Sequence, residues 1–238
     1  MTWKRAAVFG SSGGIGAALV RALAESGAEV LAGSRSGEGG HIDGVTPFRF
    51  DLDDEDSIAG LAASWSSNPL DLVIVATGVL TLADGTGPER SFKQLDGEAM
   101  ARVIYLNTIG PALIAKHVLP LFPRDSASAF AAISARVGSI GDNRIGGWHS
   151  YRASKAALNM LLRNFAIELG RTHQRAIAVG LHPGTVDTQL SEPFQNNLPD
   201  GQLTTPEQCA ANLLGVLQSL TPQDSGNVFD WKGERVEP

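Results

Sequence analysis

Short apolar runs alternate with longer amphipathic stretches along the whole chain, the pattern of β-α-β units around a parallel sheet. Ala6-Ala7-Val8-Phe9 reads as a buried first strand. Ile15 to Ser26 reads as a helix with Ile15, Leu19 and Leu23 on one stripe, closed by Gly27. Val30 to Ala32 and Phe48 to Phe50 read as the second and third strands, and an acidic turn from Asp51 to Asp56 leads into a helix reaching Trp65. Leu72-Val73-Ile74-Val75-Ala76 is apolar at every position, as a strand covered on both faces is. After a loop at Gly85 to Pro88, a helix from Asp96 to Leu106 breaks near Gly110 and Pro111 and resumes to Leu119. Phe130 to Ile133 is a fifth strand, Tyr151 to Leu169 a long helix without internal Gly or Pro, and Ile177 to Leu181 a sixth strand. The stretch 185–205 has two prolines and little periodicity and reads as a surface segment. Pro206 opens a last helix to Leu220, and Asn227 to Phe229 is a seventh strand. No repeat, linker or low-complexity tract interrupts the pattern, so residues 1–238 are expected to form one α/β domain.

Composition narrows the classes. The chain has 238 residues, 43% of them hydrophobic, enough to bury a large core without disulfides or metal. Its net charge of -6, with no basic stripe, argues against nucleic acid as a partner. The single cysteine, Cys209, cannot form an internal disulfide, and a reducing cytoplasm is the expected location. No apolar run approaches the ~18 residues of a membrane span. The start of the chain, with Lys4 and Arg5 before a very short apolar run, does not read as a secretory leader. The five histidines, at 41, 117, 149, 173 and 182, show no metal-ligand spacing, and no metal site is expected.

The first strand runs into Gly10-Ser11-Ser12-Gly13-Gly14-Ile15-Gly16, and a helix follows at once. Glycines there permit a sharp turn and a close approach of backbone to phosphate, and the helix N-terminus offers unpaired N–H groups to an anion. A dinucleotide site is the expectation. An NAD site places an acid after the second strand, but here the sequence is Ala32-Gly33-Ser34-Arg35-Ser36. Arg35 suits a 2′-phosphate, and the reading is NADP(H). Asp51-Leu52, after the third strand, can meet the adenine, or Asp51 can simply cap the helix that follows. Tyr151-Arg152-Ala153-Ser154-Lys155 sets a phenol and an ammonium one helical turn apart. A free tyrosine titrates near pH ~10, and a neighbouring cation is expected to lower that value toward a working acid/base.

With these motifs in order, the chain resembles the short-chain dehydrogenase/reductase family over essentially its full length. Gly10 to Gly16 match the cofactor loop, and Val75-Ala76-Thr77-Gly78 stands where the family has Asn-Asn-Ala-Gly. Asn107 matches the helix-kinking asparagine, Tyr151 and Lys155 the Tyr-x-x-x-Lys core, and Pro183 to Thr188 the Pro-Gly segment. Ser134 to Ile140, Tyr151 to Asn159 and Leu181 to Gly184 are similar to the branch holding insect sniffer carbonyl reductases and the myxobacterial C-factor. The resemblance implies a doubly wound Rossmann domain of about seven parallel strands with helices on both faces. It implies hydride transfer between NADP(H) and a small carbonyl/alcohol substrate. Tyr151 would be the acid/base, Lys155 the ribose ligand, and Asn107 the holder of a water. Ala76 and Gly78 would border the cofactor, Pro183 and Gly184 would belong to the segment that covers the nicotinamide, and backbone groups near Val186 and the Thr188 hydroxyl would hold its carboxamide.

The family's second serine after the fifth strand falls on Ala135 here. Ser134, Ser139 or no serine remain open for the substrate-oxygen contact, and Ser134 can serve only if the strand end twists inward. Trp148 walls the substrate pocket or packs at a subunit contact, and Phe194 is a candidate substrate contact in 185–205, the expected lid. His149 and His182 read as polar loop residues that could line the cleft, and Trp3, Trp65 and Trp231 as packing residues. Relatives self-associate through their two long helices, so a homodimer or homotetramer is expected. The alternative function is a dinucleotide-binding regulator of the C-factor type with little turnover.

Overall fold

The computed structural model describes residues 3–39, 41–195 and 203–238. Seven strands form one all-parallel sheet: β1 (Arg5–Phe9), β2 (Glu29–Ser34), β3 (Val45–Arg49), β4 (Leu72–Val75), β5 (Ser128–Ile133), β6 (Ala176–His182) and β9 (Val228–Asp230). Two-residue strands β7 (Thr185–Val186) and β8 (Leu203–Thr204) pair separately within the stretch read as a surface segment. The sheet order is β3-β2-β1-β4-β5-β6-β9, so the winding reverses between β1 and β4. In such sheets ligands bind beyond the carboxyl ends of the strands at that reversal.

Alternate side chains of the central strands enter two cores. Ala6 and Val8 face α1 (Gly14–Glu25) and α6 (Pro206–Ser219). Ala7 and Phe9 face α2 (Glu55–Trp65), α4 (Gly110–Val118) and α5 (His149–Thr172). On that second face the rings of Phe9, Phe48, Phe50 and Trp65 pack edge to face, with centroids 5.0 to 6.1 Å apart. This is the expected Rossmann-type architecture. Trp3 and Trp65 are buried as expected, but Trp231 is 38% exposed and lies against Gly184 instead of in a core.

The expected break near Gly110 and Pro111 is absent. After α3 (Gly97–Ile104) the chain widens into one π-turn, Tyr105–Ile109, and continues directly into α4. The Gly110 N–H donates five residues back, to the Tyr105 carbonyl. Pro111 has no N–H, so it cannot serve the Asn107 carbonyl four residues back, and the widened turn accommodates that loss.

Candidate active site

A cleft of about 560 Å³ opens along the carboxyl ends of β1, β4, β5 and β6. Its walls hold most of the residues singled out from the sequence: Ser12, Gly14, Ile15, Gly16, Ala76, Gly78, Ser134, Tyr151, Lys155, Pro183, Gly184, Val186 and Thr188. Gly10 turns at φ +96°, and a Cβ on Gly16 would sit 2.1 Å from the Gly10 carbonyl oxygen, so helix and loop close only on glycine. Ser11 is not among the residues lining the cleft and donates its hydroxyl to the Gly33 carbonyl at 2.9 Å.

No side chain caps α1 at Gly13, and the residues of its first turn, Gly14 to Gly16, line the cleft, where the N–H groups of a helix start are open to an acceptor. The Thr77 hydroxyl is buried without a hydrogen-bond partner among the described residues. An uncapped helix end, an orphaned buried hydroxyl and a loop with no Cβ to spare all fit the pyrophosphate and ribose of a dinucleotide. Arg35, Asp51 and Leu52 lie outside the main cleft, after β2 and β3 on the same sheet edge. The Arg35 guanidinium is exposed and makes no hydrogen bond or ion pair to a described residue. Asp54, not Asp51, caps α2, through Ser57 N–H; Asp51 accepts from Asp53 N–H at 3.0 Å. Leu52 is buried against Gly110.

Helix α5 delivers the Tyr151/Lys155 pair. Its N-cap is Trp148, a non-glycine residue at φ +51° that offers no side-chain cap. Strain of that kind persists only where the surroundings enforce it. Glu89 enforces it here. Its carbonyl accepts the Trp148 N–H at 2.5 Å, and its carboxylate accepts the Ser150 N–H at 3.1 Å and the Ser150 hydroxyl. Burial works to raise the Glu89 pKa, but the hydrogen bonds from Ser150 and the backbone outweigh it and hold the carboxyl below its ordinary value. The Trp148 ring packs edge to face on Tyr151 at 6.2 Å and lines the cleft.

The Lys155 ammonium donates to the Ile133 carbonyl at 2.8 Å and lies 5.7 Å from the Tyr151 ring centroid. Here the structure corrects an expectation. Tyr151 is not made more acidic by Lys155: burial pushes the phenol up to about 12 and the ammonium down to about 8. Desolvation penalises both charges and, at this separation, exceeds their attraction.

Asn107 is fully buried behind Lys155, and Gly78 leaves room for both side chains, since a Cβ there would sit 3.1 Å from Asn107 Oδ1 and 3.4 Å from Lys155 Nζ. The whole Asn107 amide is engaged: Oδ1 accepts from Val79 N–H, and Nδ2 donates to the Val79 carbonyl and Ser154 Oγ. Its backbone carbonyl, in the π-turn, loses the usual donor four residues on, because Pro111 has no N–H.

Ser134 lines the cleft, but its hydroxyl donates to Asn159 Oδ1 on α5 at 2.6 Å. Ala135 also lines the cleft, whereas Ser139 does not; its hydroxyl accepts Asp142 N–H at 3.0 Å. His182, read from the sequence as a polar loop residue that could line the cleft, ends β6 and forms part of the cleft wall. Burial pushes its imidazole down to about 4. The Phe194 side chain lies outside the described residues. A side cavity of about 220 Å³ adjoins the cleft at Leu80 and Tyr151 and is lined by Leu82, Pro88, Glu89 and Val103. The stretch 81–90, which carried no chemistry in the sequence, thus walls this cavity and caps α5.

Among the described residues no helix is long and apolar enough to cross a membrane, and no group of three or more His, Cys, Asp or Glu is placed to hold a metal.

Residues 4–199 match the short chain dehydrogenase family. This chain belongs to that family of oxidoreductases. It is 35% identical over 223 residues to a 1-hydroxy-2-glutathionyl-2-methyl-3-butene dehydrogenase of Rhodococcus sp. (strain AD45), covering 92% of each chain. It is 32% identical over 175 residues to the C-signal of Myxococcus xanthus, covering 74% of this chain and 96% of that protein. Among solved structures, NADPH-bound carbonyl reductase from chicken fatty liver superposes with a TM-score of 0.84 at 26% identity, over 99% of this chain and 94% of that one.

Proposed function

We propose that this short-chain dehydrogenase transfers hydride between NADP(H) and a small carbonyl/alcohol pair, with Tyr151 exchanging the proton. The observation that carries the reading is one cleft lined both by Ser12 to Gly16 of the glycine loop and by Tyr151 and Lys155. The unpaired Arg35 guanidinium, two residues past the Gly33 carbonyl that anchors the glycine loop, favours a 2′-phosphate and hence NADP(H). The NADPH bound by the chicken reductase supports the same choice.

When bound, the reduced dinucleotide supplies a hydride to the carbonyl carbon. Tyr151 donates its phenolic proton to the carbonyl oxygen, which completes the alcohol and leaves a tyrosinate. A phenol pushed up to about 12 is protonated at neutral pH, ready to act as the acid in reduction. Lys155, at about 8, is mostly protonated at neutral pH and lends its charge to the tyrosinate until a proton returns. A water on the Asn107 carbonyl is the route for that proton. Asp51 and Leu52 border the adenine. Pro183 and Gly184 cover the nicotinamide, and the Val186 backbone and the Thr188 hydroxyl hold the carboxamide. Leu80, Leu82 and Val103 take the apolar part of the substrate; the lid expected of 185–205 lies in part, at 196–202, outside the described residues.

The test is oxidation of NADPH, and of NADH in parallel, across a panel of aldehydes, ketones and quinones. Turnover with a preference for NADPH is the expected result, and none with any carbonyl at millimolar concentration would reject the reading. A second reading, a dinucleotide-binding signalling protein, draws on the likeness to C-signal and on Ala135, which carries no hydroxyl into the cleft. Tight NADPH binding with negligible rates across the panel would favour it.

A further inference from the structure

An oxygen that gains negative charge in the transition state calls for more than one hydrogen-bond donor. At the end of β5 in the cleft wall, neither Ala135 nor Ser134 supplies the second. Ala135 has no polar side-chain atom, and the Ser134 proton is committed to Asn159. Strand register brings another side chain to this spot. Ile133 of β5 pairs with Leu181 of β6, so Ser134 follows beside His182, and His182 in turn pairs with Asp230 of β9.

His182 lines the cleft, and neither ring nitrogen is hydrogen-bonded to a described residue; Nδ1 is buried without a partner. An N–H enclosed there without an acceptor costs more than an enclosed lone pair, so the ring proton belongs on Nε2, the nitrogen that is not enclosed. Burial dominates the ring's titration, ahead of the opposed influences of Asp230, which raises its pKa, and Arg136, which lowers it. At neutral pH the imidazole is therefore uncharged, with one N–H to donate and one lone pair.

Resting on the proposed reduction, we propose that His182 is a catalytic residue of this site whose ring N–H donates to the substrate oxygen beside the Tyr151 hydroxyl. It serves where Ala135 provides no donor. The imidazole gives up no proton. Its hydrogen bond tightens as the carbonyl oxygen accepts charge, Tyr151 delivers the proton, and His182 ends the cycle unchanged. A neutral ring suits the role, since an imidazolium there would compete with Tyr151 to protonate the oxygen.

The test is a double-mutant cycle between His182→Ala and Ala135→Ser, read by kcat, by NADPH affinity from fluorescence titration, and by thermal unfolding. Loss of one such donor should lower kcat by about a hundredfold, with NADPH affinity changed by less than about threefold. Ala135→Ser, which restores a hydroxyl on the cleft wall, should recover about tenfold or more in the His182→Ala background and gain less than about threefold in the wild type. An unchanged kcat in His182→Ala, or an equal gain from Ala135→Ser in both backgrounds, overturns the proposal. If His182→Ala fails to fold, His182→Asn keeps an N–H donor and should retain most of the rate, whereas His182→Leu should not. A readout without turnover is the ring ¹⁵N spectrum. The His182 nitrogens should shift when NADP⁺ and trifluoroethanol are added together, and a ring unmoved by that mixture contradicts the assignment. Should Tyr151→Phe keep full rate, the underlying reduction fails; should only His182→Ala keep it, this inference alone fails.

Discussion

Replacing Glu89 with alanine should destabilise the protein far more than a loop substitution ordinarily does. Its carboxylate takes two hydrogen bonds from Ser150 at the first turn of α5, a helix whose N-cap residue provides no side-chain cap. Glu89 is 9% exposed, so water cannot readily replace it. A hydrogen bond to a charged group is worth about 1.5–3 kcal/mol, and a carboxylate at a helix N-terminus adds about 0.3–1 kcal/mol. These contributions overlap, and about 3 kcal/mol is the combined expectation, or about 6–12 °C in Tm for a chain of this size. Glu89→Gln keeps an acceptor oxygen and loses the charge, for about 1 kcal/mol. The sign of the pH dependence follows from the lowered carboxyl pKa. The contribution is fully present above the ordinary value of 4.5 and disappears as pH falls through the lower folded value. Urea unfolding of wild type and both variants at several pH values reads this directly. The gap between wild type and Glu89→Gln should be open at neutral pH and close in acid. A Glu89→Ala midpoint within about 2 °C of wild type, or a gap that persists unchanged in acid, would refute the argument.

Three further outcomes are expected. Arg35→Ala should weaken NADPH binding by about tenfold or more and NADH binding by less than about threefold, measured by fluorescence titration; equal losses would remove the 2′-phosphate contact. Gly16→Ala places a methyl group 2.1 Å from the Gly10 carbonyl oxygen, so NADPH binding should be lost; calorimetric titration showing wild-type affinity would contradict the tight loop. For His182 the folded pKa of about 4 lies below the ordinary 6.5, so the unfolded chain binds the proton first and stability falls by up to about 3 kcal/mol as pH drops through that window. His182→Leu should flatten that part of the stability profile, as read by urea unfolding between pH 7 and 4.

The sheet was legible in the sequence because its inner strands are covered on both faces and so read as unbroken apolar runs, with Leu72 to Val75 the plainest case. The glycine loop and the Tyr151/Lys155 spacing were legible because each is local, a turn in one case and one helical turn in the other. Contacts that are distant in sequence were not legible. Glu89 caps α5 across 61 residues, and nothing within 81–90 signals it. His182 gains its place beside Ser134 from strand register alone. The acidity of Tyr151 went the other way because spacing reveals a neighbouring charge and not the depth at which both groups are buried. Gly110 and Pro111 read as a break because the pattern does not distinguish an ended helix from one that widens by a residue and continues.

The central claim is that one phenol delivers the proton when hydride reaches a carbonyl in this cleft. Single-turnover oxidation of bound NADPH by the best carbonyl substrate, compared between wild type and Tyr151→Phe, tests it most directly. The variant should bind NADPH with affinity within about threefold of wild type and react about 10²–10⁴ times more slowly. A Tyr151→Phe protein that binds NADPH and oxidises it at the wild-type rate would contradict the claim.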